Sequence, residues 1–234
     1  MNAVDLRTLL EQDLTWRQDE LRTLGNSLRS GGLDLARIEY KRPMVVMTYA
    51  HLEGFVKYAL GTYADHINKT GLTCSKMVEP LAASNLTNDF RAVRQSITTS
   101  SSTIAAFEGK RLAQAKRETD FIRGVRALET AAVDLPIDEV VSLDWNLNMD
   151  VFERVMFRLG LSFDDIQNLS PSVDFSSAVS FLVRVRNDVA HGSRNVNIPD
   201  GQFKAAVSKA SEVCSNLIRV LYEAARSQAY CVAV

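Results

Sequence analysis

One stretch of this chain limits its fold more than any other. Met44-Val45-Val46-Met47-Thr48-Tyr49-Ala50-His51-Leu52-Glu53-Gly54-Phe55-Val56-Lys57-Tyr58 is apolar on most sides when wound as a helix. Such a helix cannot lie on a surface. Other elements must surround it, so it reads as the buried helix of a bundle. The reading places Pro43 in its first turn, runs the helix to about Asn68 and lets Gly71 stop it.

The flanking segments supply the helices such a bundle needs. Val4 to Leu28 carries Leu6, Leu9, Leu10, Leu14, Leu21, Leu24 and Leu28 at helical spacing, and Ser30-Gly31-Gly32 ends it. Near Asn148 regularity returns, with Val151, Val155, Met156 and Leu159 before Gly160. Phe175 to Ala190 places Phe175, Ala178, Val179, Leu182, Val185 and Val189 on one side, and Gly192 is set to cap it. A last helix runs from about Pro199 or Asp200 to Ala229, and Cys214 sits in its apolar pattern as a small core residue. Only five Pro and eleven Gly in 234 residues favour long regular elements.

The middle third, 70–144, is less regular. Leu81 to Arg94 reads as a short helix and Ser96 to Thr103 as a loop. Lys110 to Ala132 reads as a helix with Phe121, Ile122, Val125 and Leu128 on its apolar side. Val140-Val141-Ser142-Leu143 could pair briefly as a strand. The expectation is one all-α domain over 1–234, with a core of about 4–68 and 148–230 and a mostly helical insertion of about 70–144 packed on its edge.

Composition excludes several classes of function. Hydrophobic residues at 46% and charged residues at 24% exclude wholesale disorder. A formal charge of -1 excludes coating nucleic acid by bulk charge, though a local basic groove stays open. Three Cys and three His, without CxxC or HxxxH spacing, exclude a metal cluster built on those residues, so neither metal nor cofactor is expected. No apolar run reaches the roughly 18 residues of a membrane span, and Met1 to Glu11 reads as no signal peptide. Sparse thiols fit a cytoplasmic protein.

The chemistry concentrates in Val183-Arg184-Val185-Arg186-Asn187-Asp188-Val189-Ala190-His191-Gly192. Arg184, Asn187, Asp188 and His191 face away from the apolar stripe, and Arg186 lies on its flank. The macrodipole at a helix C-terminus favours a positive group such as a protonated imidazole. Asn187, one turn before His191, could fix the tautomer of that ring. Arg186 offers a planar fork suited to phosphate. Five residues separate Arg186 from His191, roughly 140° and ~7.5 Å of rise, so on an ideal helix they diverge. Either the helix ends before His191, or a second copy completes the cleft. On the residues alone, a solvated capping stripe is the plainer reading.

These residues resemble the HEPN superfamily, whose motif is an Arg, a polar residue, a few further positions and a His. Here that is Arg186-Asn187-Asp188-Val189-Ala190-His191, on a late helix, with Gly192 next and one more long helix after it. Arg42-Pro43-Met44 and Tyr49 to Lys57 are similar to the second helix of prokaryotic HEPN-like nucleases. The resemblance implies an all-helical bundle, a homodimer and a metal-independent endoribonuclease, commonly a toxin or phage-defence effector with a cognate antitoxin or other partner. It maps the motif onto Arg186, Asn187 and His191, with Asp188 next, and makes Glu53 the candidate for an acidic residue on an earlier helix. Where some relatives carry a modified Tyr after the His, this chain has Gly192-Ser193.

Other residues read more plainly. Arg184 and Arg194 are candidates for RNA backbone phosphates, with surface charge an equal explanation. Glu53 could as well pair with Lys57. His51 reads as a packing histidine, His66 as surface, and Tyr49 and Tyr58 as core rather than base-stacking. The rival functional readings are a catalytically inactive module that binds RNA or a partner, and a purely structural helical subunit.

Overall fold

In the computed structural model, residues 1–34, 36–95, 104–144, 146–193 and 195–232 are described. The first helix, α1 (Ala3–Ser30), opens on a reciprocal cap. The Asp5 N–H donates to the Asn2 side chain while the Asn2 N–H donates to the Asp5 carboxylate. Leu6 and Leu10 are fully buried, whereas Leu9 of the same leucine run faces solvent.

The second helix, α2 (Ile38–Asn68), is the centre of the molecule. Phe55, Val56, Ala59, Leu60, Tyr63 and Ala64 are wholly buried along it, as its lack of a polar face demands. Pro43 lies inside α2 rather than in its first turn. The turn ahead of it forms because it is fastened elsewhere: the Tyr40 ring meets Phe203 edge-on, and Lys41 Nζ donates to the Ile198 carbonyl at 2.9 Å. So near the helix start, the missing proline N–H forgoes a single backbone bond.

The middle third divides in two. Its ends enter the main core: Cys74, Met77 and Leu81 on one side, Val133, Leu135 and Val140 on the other. Leu81 to Arg94 is not one helix but two, α3 (Glu79–Asn85) and α4 (Thr87–Gln95), and α5 (Ile104–Ala127) follows. The expected loop at Ser96 to Thr103 lies outside the described residues. α5 packs chiefly on α4, with Phe90 and Phe121 at 5.0 Å between ring centroids. Ile122 and Val125 therefore stay exposed instead of facing a core. Ile137–Val140 forms a one-turn helix, α6, and the Val140-Val141-Ser142-Leu143 stretch that could have paired briefly forms no bridge among the described residues. Among the described residues the only β pairings are two isolated bridges, Thr73 with Ala132 and Met77 with Cys231.

Four further helices complete the fold: α7 (Met149–Arg158), α8 (Phe163–Asn168), α9 (Phe175–Ala190) and α10 (Asp200–Ser227). Asn148 caps α7, and Gly160 ends it at φ +72, where a Cβ would stand 2.8 Å from a Val78 methyl. α2 packs against α1, α9 and α10, while α10 also packs on α1 and α9. The fold is all-α, as expected. No helix among the described residues is long and apolar enough to cross a membrane.

Two side chains depart from their sequence reading. His66 is buried, not on the surface: its Nδ1 lies 3.0 Å from the Met1 carbonyl, and its ring stacks on Tyr63 and meets Tyr230 edge-on. Tyr58 is exposed rather than core. Cys231 is half-buried through its bridge to Met77. His51 is buried edge-on to Trp16, as a packing histidine should be.

Candidate active site

The site is assembled by α2 and α9, the two helices whose sequences carry its residues. Asp174 caps the start of α9 by accepting the Ser177 N–H. Phe175, Val179, Leu182 and Val185 fix its bearing against the core. That bearing turns Arg186, on the flank of the stripe, toward α2 and leaves its side chain about a quarter exposed.

Three groups hold the Arg186 guanidinium. Its Cζ stands 4.7 Å from the centroid of the Tyr49 ring, within range of a cation–π attraction. Its Nη2 lies 3.8 Å from Glu53 Oε2, and its Nη1 donates to Asn187 Oδ1 at 2.9 Å. Glu53 and Arg186 therefore meet, and the Glu53–Lys57 pair is not formed.

Tyr49 and Glu53 are one turn apart on α2 and are tied to the loop ahead of α7. The Leu147 N–H donates to the Tyr49 hydroxyl at 2.7 Å and to Glu53 Oε1 at 3.2 Å. The Tyr49 hydroxyl lies 2.6 Å from Asn146 Oδ1 and 3.2 Å from Glu53 Oε1. It has one proton to give, and the shorter contact takes it. Burial first, then the charge of Glu53, pushes the Tyr49 hydroxyl up to about 12, so the ring stays a neutral phenol.

His191 ends α9 as its C-cap, exposed, at φ -84 and ψ 8. That φ stays close to helical, so the side chain keeps its helical bearing away from Arg186. Gly192, at φ +74, closes the helix: its N–H donates to the Val189 carbonyl, and the Ser193 N–H to the Asp188 carbonyl. This is a Schellman cap, and it needs the left-handed residue that glycine supplies. The chain beyond is moored to α2, where Arg42 Nη2 donates to the Ser193 carbonyl at 3.1 Å and Lys41 pairs with Asp200.

The other sequence candidates fall into two groups. Among the described residues no hydrogen bond joins Asn187 to the His191 ring; its carboxamide oxygen accepts from Arg186 instead. Asp188 faces Arg184 across one turn at 3.7 Å, on the exposed side of α9, and Arg184 also lies over the Phe181 ring. Among the described residues, neither forms a hydrogen bond or ion pair with the Arg186 or His191 side chain. Arg194 lies outside the described residues. Sequence reasoning missed Tyr49 and Asn146 as members of the site. The spacing of Tyr49 four residues before Glu53 was a usable signal; Asn146, 97 residues from Tyr49, offered none. Among the described residues, no group of three or more His, Cys, Asp or Glu is gathered to hold a metal ion.

A family model described as HEPN_MAE_28990-like HEPN matches residues 6–230. No curated protein and no solved structure matches the chain. With the match running over nearly its whole length, the chain belongs to the HEPN_MAE_28990-like HEPN family.

Proposed function

We propose that this HEPN-family chain is a metal-independent endoribonuclease that works as a homodimer. The observation that carries the reading is the fixing of Arg186. A ring, a carboxylate and a carboxamide aim one guanidinium at the α2–α9 junction, and the motif imidazole stands exposed at the end of the same helix.

The chemistry uses RNA's own nucleophile. The ribose 2′-OH attacks the adjacent phosphorus and gives up its proton to an imidazole, His191 acting as general base. Arg186 holds the equatorial oxygens as negative charge builds on them. The P–O5′ bond breaks, and the leaving 5′-oxygen takes a proton from water. The products are a 2′,3′-cyclic phosphate and a 5′-hydroxyl. DNA resists because it lacks the attacking hydroxyl. Glu53, Tyr49 and Asn187 are positioning residues, acting through Arg186. Arg184 and Arg194 add phosphate contacts along the strand. The biological setting proposed is a toxin or defence effector in the cytoplasm, restrained by a cognate partner.

The test is RNA incubated in EDTA with the parent, His191→Ala and Arg186→Ala. Cleavage by the parent alone, ending in cyclic phosphate, is the expected result. Cleavage by His191→Ala at the parent rate would end the proposal. One observation favours the rival reading of an inactive RNA-binding module. Two of the Arg186 nitrogens already face acceptors within the chain, which leaves fewer donors for a phosphate. Retained RNA binding with no cleavage by any variant would select that rival.

A further inference from the structure

A cleft of about 520 Å³ opens between α4, α6 and α7. Four guanidinium groups line it, Arg91, Arg94, Arg154 and Arg158, against two carboxylates, Glu139 and Asp144. Both carboxylates are already engaged. Arg91 Nη1 donates to Glu139 Oε1 at 2.8 Å and Arg154 Nη1 to Asp144 Oδ2 at 2.5 Å. Arg158 spends its donors on neutral acceptors, the Glu139 carbonyl at 3.0 Å and the Thr87 hydroxyl at 2.6 Å. Among the described residues, Arg94 meets only the Phe90 ring, 5.8 Å away.

Two positive charges are therefore uncompensated in one concavity. The strain shows on Arg158, whose pKa is lowered first by burial, then by Arg154, with Arg91 and Arg94 adding to it against Asp144. Gathering like charges costs free energy that an anion returns. Guanidinium forks match phosphate oxygens in shape as well as charge. On the same wall Phe157 is 65% exposed, and such an apolar face suits a base or ribose beside the phosphate.

We propose that this cleft binds a phosphoryl group, carried by an RNA strand or by a free nucleotide or polyphosphate. It adjoins the candidate active site through one loop. Ser142 and Asp144 line the cleft, and Asn146 and Leu147 bond to Tyr49 and Glu53. Asp144 and Asn146 lie within roughly 7 Å along the chain. The RNA source rests on the nuclease reading; the free-phosphate source does not.

Two ligands separate the sources. Sodium pyrophosphate is titrated into the full chain by calorimetry. A short labelled single-stranded RNA is titrated into His191→Ala over a range of salt. Each is repeated with Arg94→Gln, and with Arg94→Gln and Arg154→Gln together, after melting curves show the variants folded. Arg94→Gln is the safeguard, because Arg154 also anchors the Asp144 loop. Pyrophosphate affinity is expected to fall about tenfold or more in the double variant. On the RNA, the slope of log affinity against log salt is expected to shrink by about 0.7 per lost guanidinium. Weakening of both ligands, with mutual competition, assigns the cleft to RNA phosphates. Weakening of pyrophosphate alone assigns it to a free phosphate. Affinities for both ligands within twofold of the parent, or no uptake of either by the parent, overturn the proposal. Cleavage in EDTA is scored separately, so failure of the nuclease reading leaves the pyrophosphate result standing.

Discussion

Replacing Glu53 by Gln tests whether Arg186 is held by charge. The substitution keeps length and shape, and an amide oxygen can still accept the Leu147 N–H that Glu53 Oε1 now takes at 3.2 Å. What it removes is the negative end of a 3.8 Å pair. That distance is beyond hydrogen bonding, so the attraction is Coulombic. At an effective dielectric of ~20 its gross value is about 4 kcal/mol. Both side chains are about a quarter exposed, so solvent screening and desolvation cancel much of this. A net coupling of about 1–2 kcal/mol remains. The assay is a urea double-mutant cycle with Arg186→Gln, beside cleavage kinetics of Glu53→Gln alone. The cycle should return that coupling, and kcat/KM should fall by roughly 5- to 30-fold. Additivity within ~0.5 kcal/mol, with kcat/KM unchanged, would refute the assignment of Glu53 as the residue that positions Arg186.

Three further outcomes follow from the same geometry. Lys41→Met fits the buried stem but leaves the Ile198 carbonyl without its donor. It should cost about 1–3 kcal/mol, or roughly 3–10 °C of Tm by calorimetry; a shift under ~1 °C would contradict it. Gly192→Ala meets no neighbouring atom but must hold φ +74, so it should cost about 1 kcal/mol in urea denaturation. A gain in stability would show that the α9 cap is not left-handed. Burial lowers the folded pKa of His51, opposed chiefly by Glu20, and of His66, opposed by the Met1 carbonyl. The unfolded chain then binds protons first as pH falls through ~6.5, so stability should decline below that pH and level off beneath the folded values. Tm measured from pH 7.5 to 5 checks the sign, and a Tm that rises on acidification contradicts it.

The sequence was most readable where one helix settles its own fate. α9 starts at its Asp174 cap and stops at Gly192, and its apolar stripe already put Arg186 on a flank. Periodicity says which way a side chain leaves the helix. It does not say what waits there. Asn187 has the right bearing for His191, yet its oxygen goes to Arg186, because a long flexible guanidinium can fold back on its neighbour. His66 looked like a surface residue at a helix end, but Tyr230 and Met1, distant in sequence, close over it. α5 shows the opposite error: its apolar residues promised a core, but α4 is too short to cover them. The arginine cleft gave no sign at all, since its arginines come from two helices, α4 and α7, that only folding brings together.

The bearing of His191 sets the last requirement. On an ideal helix its position lies roughly 140° round from that of Arg186, and no hydrogen bond or ion pair joins the two within the described chain. In the proposed homodimer a twofold partner's imidazole completes the pair with Arg186. In such an interface each contact occurs twice, so a dimer carries two equivalent Arg–His pairs. Mixing Arg186→Ala with His191→Ala and letting subunits exchange makes about half the dimers heterodimers. Each heterodimer places both substitutions in one pair and leaves the other pair intact, so about a quarter of the parent's cleavage should return. Sedimentation confirms the dimer, and differently tagged copies confirm the exchange. If exchange is complete and the mixture stays as inert as either variant alone, Arg186 and His191 do not act across the twofold axis.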